Sequence, residues 1–227
     1  MCNQTDFSSV KSYVLRGGRM TDAQKKAYGD LYPLWTARPN EGSVFNFNAV
    51  FGNSNPVVIE IGFGNGDATI LIAKAFPNIN YLAIEVFKSG IGKLLWRIDK
   101  EGVPNIRIVE GDAKYIIENH VEEGSAGGFH IFFPDPWPKK KHHKRRLLRR
   151  PFTGLLSSRL SSGSYIYFVT DWEHYAFSAL EELSLTPGLK NSFSGFAPPS
   201  SWRPQTKFEK KAFRENRGVK ELFFRKL

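Results

Sequence analysis

The sequence is short of cysteine, of acidic charge and of long apolar runs. Cys2 is the single cysteine in 227 residues. That excludes an internal disulfide and any zinc site built on cysteines, and it points to a reducing, cytoplasmic setting. No apolar run approaches the roughly 20 residues that a membrane-crossing helix needs. The stretch from Met1 to Gln24 is polar and mixed, without the apolar core of a secretory leader. Acids are outnumbered: 22 Asp and Glu stand against 32 Lys and Arg, a formal net charge of +10. Such an imbalance favours a polyanionic partner and leaves three classes open: a nucleic-acid enzyme, a ribosome-bound protein or a protein of membrane surfaces. There is no Gly-Lys-Ser/Thr triplet, so a P-loop is excluded. His142 and His143 are adjacent and have no cysteine or carboxylate beside them, so no metal site is expected.

The composition, 41% hydrophobic and 24% charged, suits a soluble globular chain. Its length fits one domain with a small added segment. Residues 1–50 have weak periodicity and are expected to form an N-terminal extension, with a short helix around Asp22 to Tyr28. Residues 51–227 are expected to form the main domain. From Val57 onward, short β-type runs alternate with helix-like stretches, which predicts an α/β fold with a mainly parallel sheet. The expected strands are Val57–Ile61, Tyr81–Glu85, Ile106–Glu110, His130–Phe133 and Tyr165–Thr170. Helices are expected over Asp67–Phe76, Ser89–Lys100, Ala113–His120, Phe152–Leu160 and Trp172–Leu183. The second of these carries Ile91, Leu94, Leu95 and Ile98 on one face. Lys190–Phe193 and Val219–Arg225 read as closing strands, joined by a long proline-rich, charged loop from Phe196 to Gly218.

Glu60-Ile-Gly-Phe-Gly-Asn-Gly66 follows the apolar run Val57-Val58-Ile59, with Glu60 at the end of the first strand, and precedes the first regular helix. Glycines at 62, 64 and 66 allow a tight turn and a close backbone approach to a ligand. The dinucleotide fingerprint requires a glycine where Asp67 stands, which counts against NAD or FAD. Glu85 closes the second strand, where an acid can accept hydrogen bonds from ribose hydroxyls. Asp112 follows the third strand and could accept from an adenine amine, or simply cap the next helix. Glu60 suits a ligand bearing an ammonium or other positive charge. S-adenosylmethionine combines adenine, ribose, an amino acid end and a sulfonium, and has no phosphate.

Phe132-Phe-Pro-Asp135-Pro-Trp137-Pro-Lys139 follows the fourth strand and runs into Lys140-Lys-His-His-Lys-Arg-Arg146. Asp135 falls at a strand's carboxyl end, where ligands of such sheets bind. Trp137 could stack on a base or pack against the sheet. The cations that follow would hold a nucleic-acid backbone without reading its sequence.

This Phe-Pro-Asp-Pro-Trp-Pro-Lys segment with its basic continuation resembles the hallmark of the tRNA (guanine-N7-)-methyltransferases. Further matching pieces are the glycine turn, Ile84-Glu85-Val86, Gly111-Asp112-Ala113, Thr170-Asp171-Trp172, Thr206-Lys207-Phe208-Glu209 and the opening from Lys11 through Arg16 and Arg19 to Gln24. One departure is Phe87-Lys88-Ser89, where the family has His and Pro. The resemblance implies a Rossmann-like fold, a seven-stranded, mostly parallel sheet with helices on both faces and the last strand antiparallel. It implies methyl transfer from S-adenosylmethionine to N7 of a guanosine in tRNA, in the variable loop, by a monomer or homodimer. Asp135 would be catalytic and would share the cofactor with Glu60, Gly62, Gly64, Gly66, Glu85 and Asp112. Lys139, Asp171, Thr206, Lys207, Phe208 and Glu209 would bind the substrate. Lys140, Lys141, Lys144, Arg145 and Arg146 would contact RNA.

Overall fold

The computed structural model describes residues 10–14 and 18–227. Cys2, Arg16 and Gly17 of the opening segment lie outside the described residues. Seven strands form one sheet: β1 (Val57–Ile61), β2 (Asn80–Glu85), β3 (Ile106–Glu110), β4 (Ala126–Phe132), β5 (Leu160–Thr170), β6 (Leu189–Asn191) and β7 (Lys220–Lys226), in the order β3-β2-β1-β4-β5-β7-β6. β1 to β5 run parallel, and β7 is antiparallel to both β5 and β6. The α/β class and the reversed last strand are therefore as expected.

Every residue of β1 and β2 is buried, as a strand covered on both faces requires. Alternate side chains feed two cores. Val57, Ile59 and Ile61 join one core with helices α5 (Ala113–His120), α6 (Phe152–Arg159) and α7 (Glu173–Ser184). Val58 and Ala83 join the other with α1 (Asp22–Trp35), α3 (Asp67–Ala75) and α4 (Lys88–Glu101). Helices thus cover both faces, and β1 and β4 lie side by side where the strand order reverses. That reversal leaves a crevice above their carboxyl ends.

Residues 22–52 dock on this sheet. A capping box between Thr21 and Gln24 starts α1, which runs two turns past the expected end. It packs on α4 so closely that a Cβ at Gly92 would lie 2.7 Å from the Gln24 carbonyl oxygen. Beyond it, the Ala37 amide donates to Ile108 O at 2.8 Å, extending the β3 edge. Asn46 caps a short helix, α2 (Phe47–Phe51), that buries Phe51.

Three expectations are corrected. β4 begins at Ala126, because Gly127 and Gly128 sit in the sheet, the latter under the Tyr165 ring. β5 begins at Leu160, where Ser161 and Ser164 bond to Ala126 O at a register shift. The loop from Phe196 to Gly218 contains a helix, α8 (Lys207–Arg214).

Candidate active site

The carboxyl ends of β1, β2, β3 and β4 surround a cavity of about 320 Å³. Its wall is formed by Ile61 and Gly62 after β1, Glu85 to Phe87 after β2, Gly111 and Ala113 after β3, Phe133 to Asp135 after β4, then Leu147 and Phe208. Ser12, Tyr13 and Val14 close it from the N-terminal segment. Neither lysine nor arginine lines it among the described residues. The wall carries carboxylates, so it is unsuited to phosphate and suited to a cationic ligand with hydroxyls to donate.

The β1 turn is built around Glu85. One Glu85 oxygen accepts from the Gly64 amide at 2.7 Å; the other accepts from Val86 and Phe87 amides at 2.7 and 3.2 Å. Burial raises its pKa, while these three donors and the charge of Asp135 pull in opposite directions. Gly62 has φ +76° and open space where a Cβ would stand, so ligand and backbone can meet there. Gly66 serves packing instead. A Cβ there would lie 2.7 Å from Leu94, so this glycine lets α3 start against α4. Gly90, which periodicity alone does not single out, matters as much. A Cβ there would lie 1.9 Å from Gly64 O, so α4 reaches the cradle only because residue 90 has no side chain.

Glu60 lies beneath the turn, 3% exposed. Its Oε2 has no hydrogen-bond partner among the described residues. Burial pushes its carboxyl up to about 7, with Thr69 opposing the shift and Glu85 adding to it. A buried carboxyl oxygen without a partner costs stability unless a donor arrives, and a ligand ammonium is such a donor. Asp112 caps α5, accepting from the Lys114 amide at 2.9 Å. It lines a neighbouring cavity that shares Tyr13, Val86 and Gly111 with the first.

Asp135 is exposed at the tip of the β4 loop and makes no hydrogen bond or ion pair with another described residue. The loop around it is held under strain: Phe133 and Trp137 have φ of +50° and +48°, which costs about 1–3 kcal/mol each and persists only where surroundings enforce it. Phe133 is fixed by its amide on Val169 O and by stacking on Phe208, 6.1 Å between centroids. Trp137 is buried. Its Nε1 donates to Ser12 O at 3.0 Å, and the Arg145 guanidinium lies 3.7 Å over its ring. Of the two roles left open for Trp137, packing is the one observed.

Several expected site residues take other roles. Arg146 is 1% exposed, donating to Pro136 O and contacting His174 Nδ1, so it cannot contact RNA. Arg145 turns inward: its Nε and Nη2 hold the carbonyls of Lys11 and Tyr13. Asp171 is paired with Arg217 at 2.7 Å, away from the cavity wall. Thr206 caps α8. Both Glu209 oxygens are held by Arg203, at 2.8 and 3.0 Å. Lys139, Lys140, Lys141 and Lys144 are exposed. Lys207 is exposed and stands 3.7 Å from Asp67. At the departure from the family pattern, Phe87 packs its ring against Gly18 and leaves Glu85 in place.

A family model described as "Putative methyltransferase" matches residues 54–222. A tRNA (guanine-N(7)-)-methyltransferase of Bordetella pertussis is 44% identical over 217 residues, covering 96% of this chain and 85% of that protein. One of Nitrosospira multiformis is 42% identical over 226 residues, covering 100% of this chain and 98% of that protein. Among solved structures, the 16S rRNA methyltransferase KamB superposes with a TM-score of 0.57 at 16% identity, covering 81% of this chain and 95% of that one, a likeness of fold.

Proposed function

Because the chain belongs to the tRNA (guanine-N(7)-)-methyltransferase family, we propose that it methylates N7 of a guanosine in the variable loop of tRNA, with S-adenosylmethionine as donor. The observation that carries this reading is the acid-walled cavity at the reversal of strand order, where Gly62, Glu85 and Asp135 converge. Bound there, S-adenosylmethionine supplies an electrophilic methyl group on a sulfonium. Glu60 would take the ammonium, Glu85 the ribose hydroxyls and Asp112 the adenine amine, with the backbone at Gly62 in close contact.

Guanine N7 already presents a lone pair, so no strong base is required, and the protein contributes mainly alignment. Asp135, exposed at the cavity rim, accepts hydrogen bonds from guanine N1–H and N2–H₂. Its charge offsets the positive charge that develops on the ring as the N–C bond forms. Phe208 supplies an aromatic face beside it. Lys139, Lys140, Lys141 and Lys144, exposed directly after the Asp135 loop, hold the RNA backbone.

The test is incubation of the protein with unmodified tRNA transcript and methyl-labelled S-adenosylmethionine, followed by nucleoside analysis. Label in 7-methylguanosine from the variable loop is the expected result. Label in another nucleoside, or on ribosomal RNA alone, would replace this reading.

A further inference from the structure

Helix α8 lies in the stretch that sequence patterning marks as loop, and it is amphipathic in an unusual way. Its inner face is Glu209 and Ala212, 8% and 0% exposed. Its outer face carries Lys207, Lys210, Lys211 and Arg214 together with Phe208 and Phe213, all exposed, the two rings by 61% and 53%. Two of these cations have carboxylates nearby, at loose separations of 3.7 Å (Lys207–Asp67) and 3.8 Å (Lys211–Glu215). Ion pairs so exposed contribute little.

The helix is pinned from within. Arg203, 7% exposed, grips Glu209 with two nitrogens, donates to Glu221 at 2.6 Å and to the Tyr167 hydroxyl at 3.2 Å. Tyr167 also donates to Glu221, and the Ser200 amide donates to the same carboxylate at 3.2 Å. The network ties α8 to β5 and β7, neighbours in the sheet. Phe208 then reaches the cavity wall and stacks on Phe133. The outer face therefore has a fixed position beside the cavity, as the exposed lysines after Asp135 do. A stripe of cations flanked on each side by an exposed ring suits a nucleic acid strand, with phosphates along the stripe and a base at its edge.

We propose that the outer face of α8 is a second RNA-binding surface, with Lys210, Lys211 and Arg214 on the phosphodiester backbone and Phe213 against a base. This rests on tRNA being the substrate. The occupant is RNA because its charge complements the helix and the helix borders the cavity that receives the guanosine.

The test compares wild type with a triple variant, Lys210→Gln, Lys211→Gln and Arg214→Gln, in tRNA binding across a salt series. Each phosphate contact contributes about 0.7–0.9 to the slope of log K against log salt, so the triple variant should lose about 2–3 from that slope and bind about tenfold or more weakly at low salt. The three side chains are exposed, so Tm and affinity for S-adenosylhomocysteine should not change. Phe213→Ala should weaken binding about tenfold while leaving the slope intact, since stacking is insensitive to salt. An unchanged slope in the triple variant overturns the proposal. A wild-type protein that fails to bind tRNA overturns the substrate reading instead, and the two failures are distinguishable in the same titration.

Discussion

Glu60→Gln tests the cradle on two independent readouts. A carboxyl raised to about 7 from an ordinary value of 4.5 corresponds to about 3 kcal/mol against the ionised form in the free protein. Between these values the folded chain keeps a proton that the unfolded chain has released, so the contribution of Glu60 to stability falls as pH rises through that window. Glutamine abolishes the effect. Above pH 7 the variant should therefore be more stable than wild type, by up to about 3 kcal/mol less whatever the buried amide costs. Binding should move the opposite way. A ligand ammonium favours the ionised carboxylate, so wild type should release close to one proton on binding at pH 6 and almost none at pH 8. Calorimetry with S-adenosylhomocysteine in buffers of different ionisation enthalpy reads this directly. The variant should bind more weakly and release no proton at either pH. Proton release that is identical in wild type and variant, or a variant less stable above pH 7, would refute the assignment of Glu60.

Asp135→Asn should retain tRNA binding and lose about 10²–10³ in kcat, the usual cost of removing a group that stabilises developing charge; single-turnover methylation checks it. Gly90→Ala should abolish binding of S-adenosylhomocysteine, because its Cβ would stand 1.9 Å from Gly64 O and force the cradle aside; the same change at Gly154, which has open space around it, should not. Arg203→Met should lower stability by about 3–5 kcal/mol in denaturant unfolding, since Glu209 and Glu221 would be left buried without their cation. His130 is buried and neutral, its pKa pushed down by burial to about 3. It costs stability as pH falls below 6.5, and between pH 4.5 and 6.5 this slope cancels that of Glu60. There the stability slope of Glu60→Gln should be more positive than that of wild type by about 1.4 kcal/mol per pH unit.

The bounds of β1, β3 and α5 could be read from the sequence because local composition and burial agree: apolar β-branched runs in the sheet, an Asp cap before α5. The start of β5 could not. Ser161-Ser-Gly-Ser164 reads as a turn, and it pairs only because Ala126 supplies an acceptor from a distant strand. Glu85 and Asp135, expected at the carboxyl ends of their strands, both line the cavity, whereas Glu60 is buried within β1 and is not on the wall. The basic run was legible only as a run. Nothing in its composition separates exposed Lys144 from buried Arg146, whose position depends on Pro136 O and His174. The internal partners of Glu209 are hidden in the sequence for a related reason. Its partner, Arg203, stands in a proline-rich stretch, and the Glu221 that completes the grip arrives from β7. Gly90 is invisible to pattern analysis because a helix glycine usually signals only weak propensity.

β1 and β4 are adjacent and hydrogen-bonded in parallel, Ile59 beside Phe129 and Glu60 beside His130. In the proposed reading one leads to the turn that would cradle the donor, the other to the loop that would receive the base. The separation between the two reactants is therefore tied to the spacing of neighbouring strands, about 4.8 Å, a length that hardly varies from one sheet to another. The backbone itself is the ruler for the methyl's short journey.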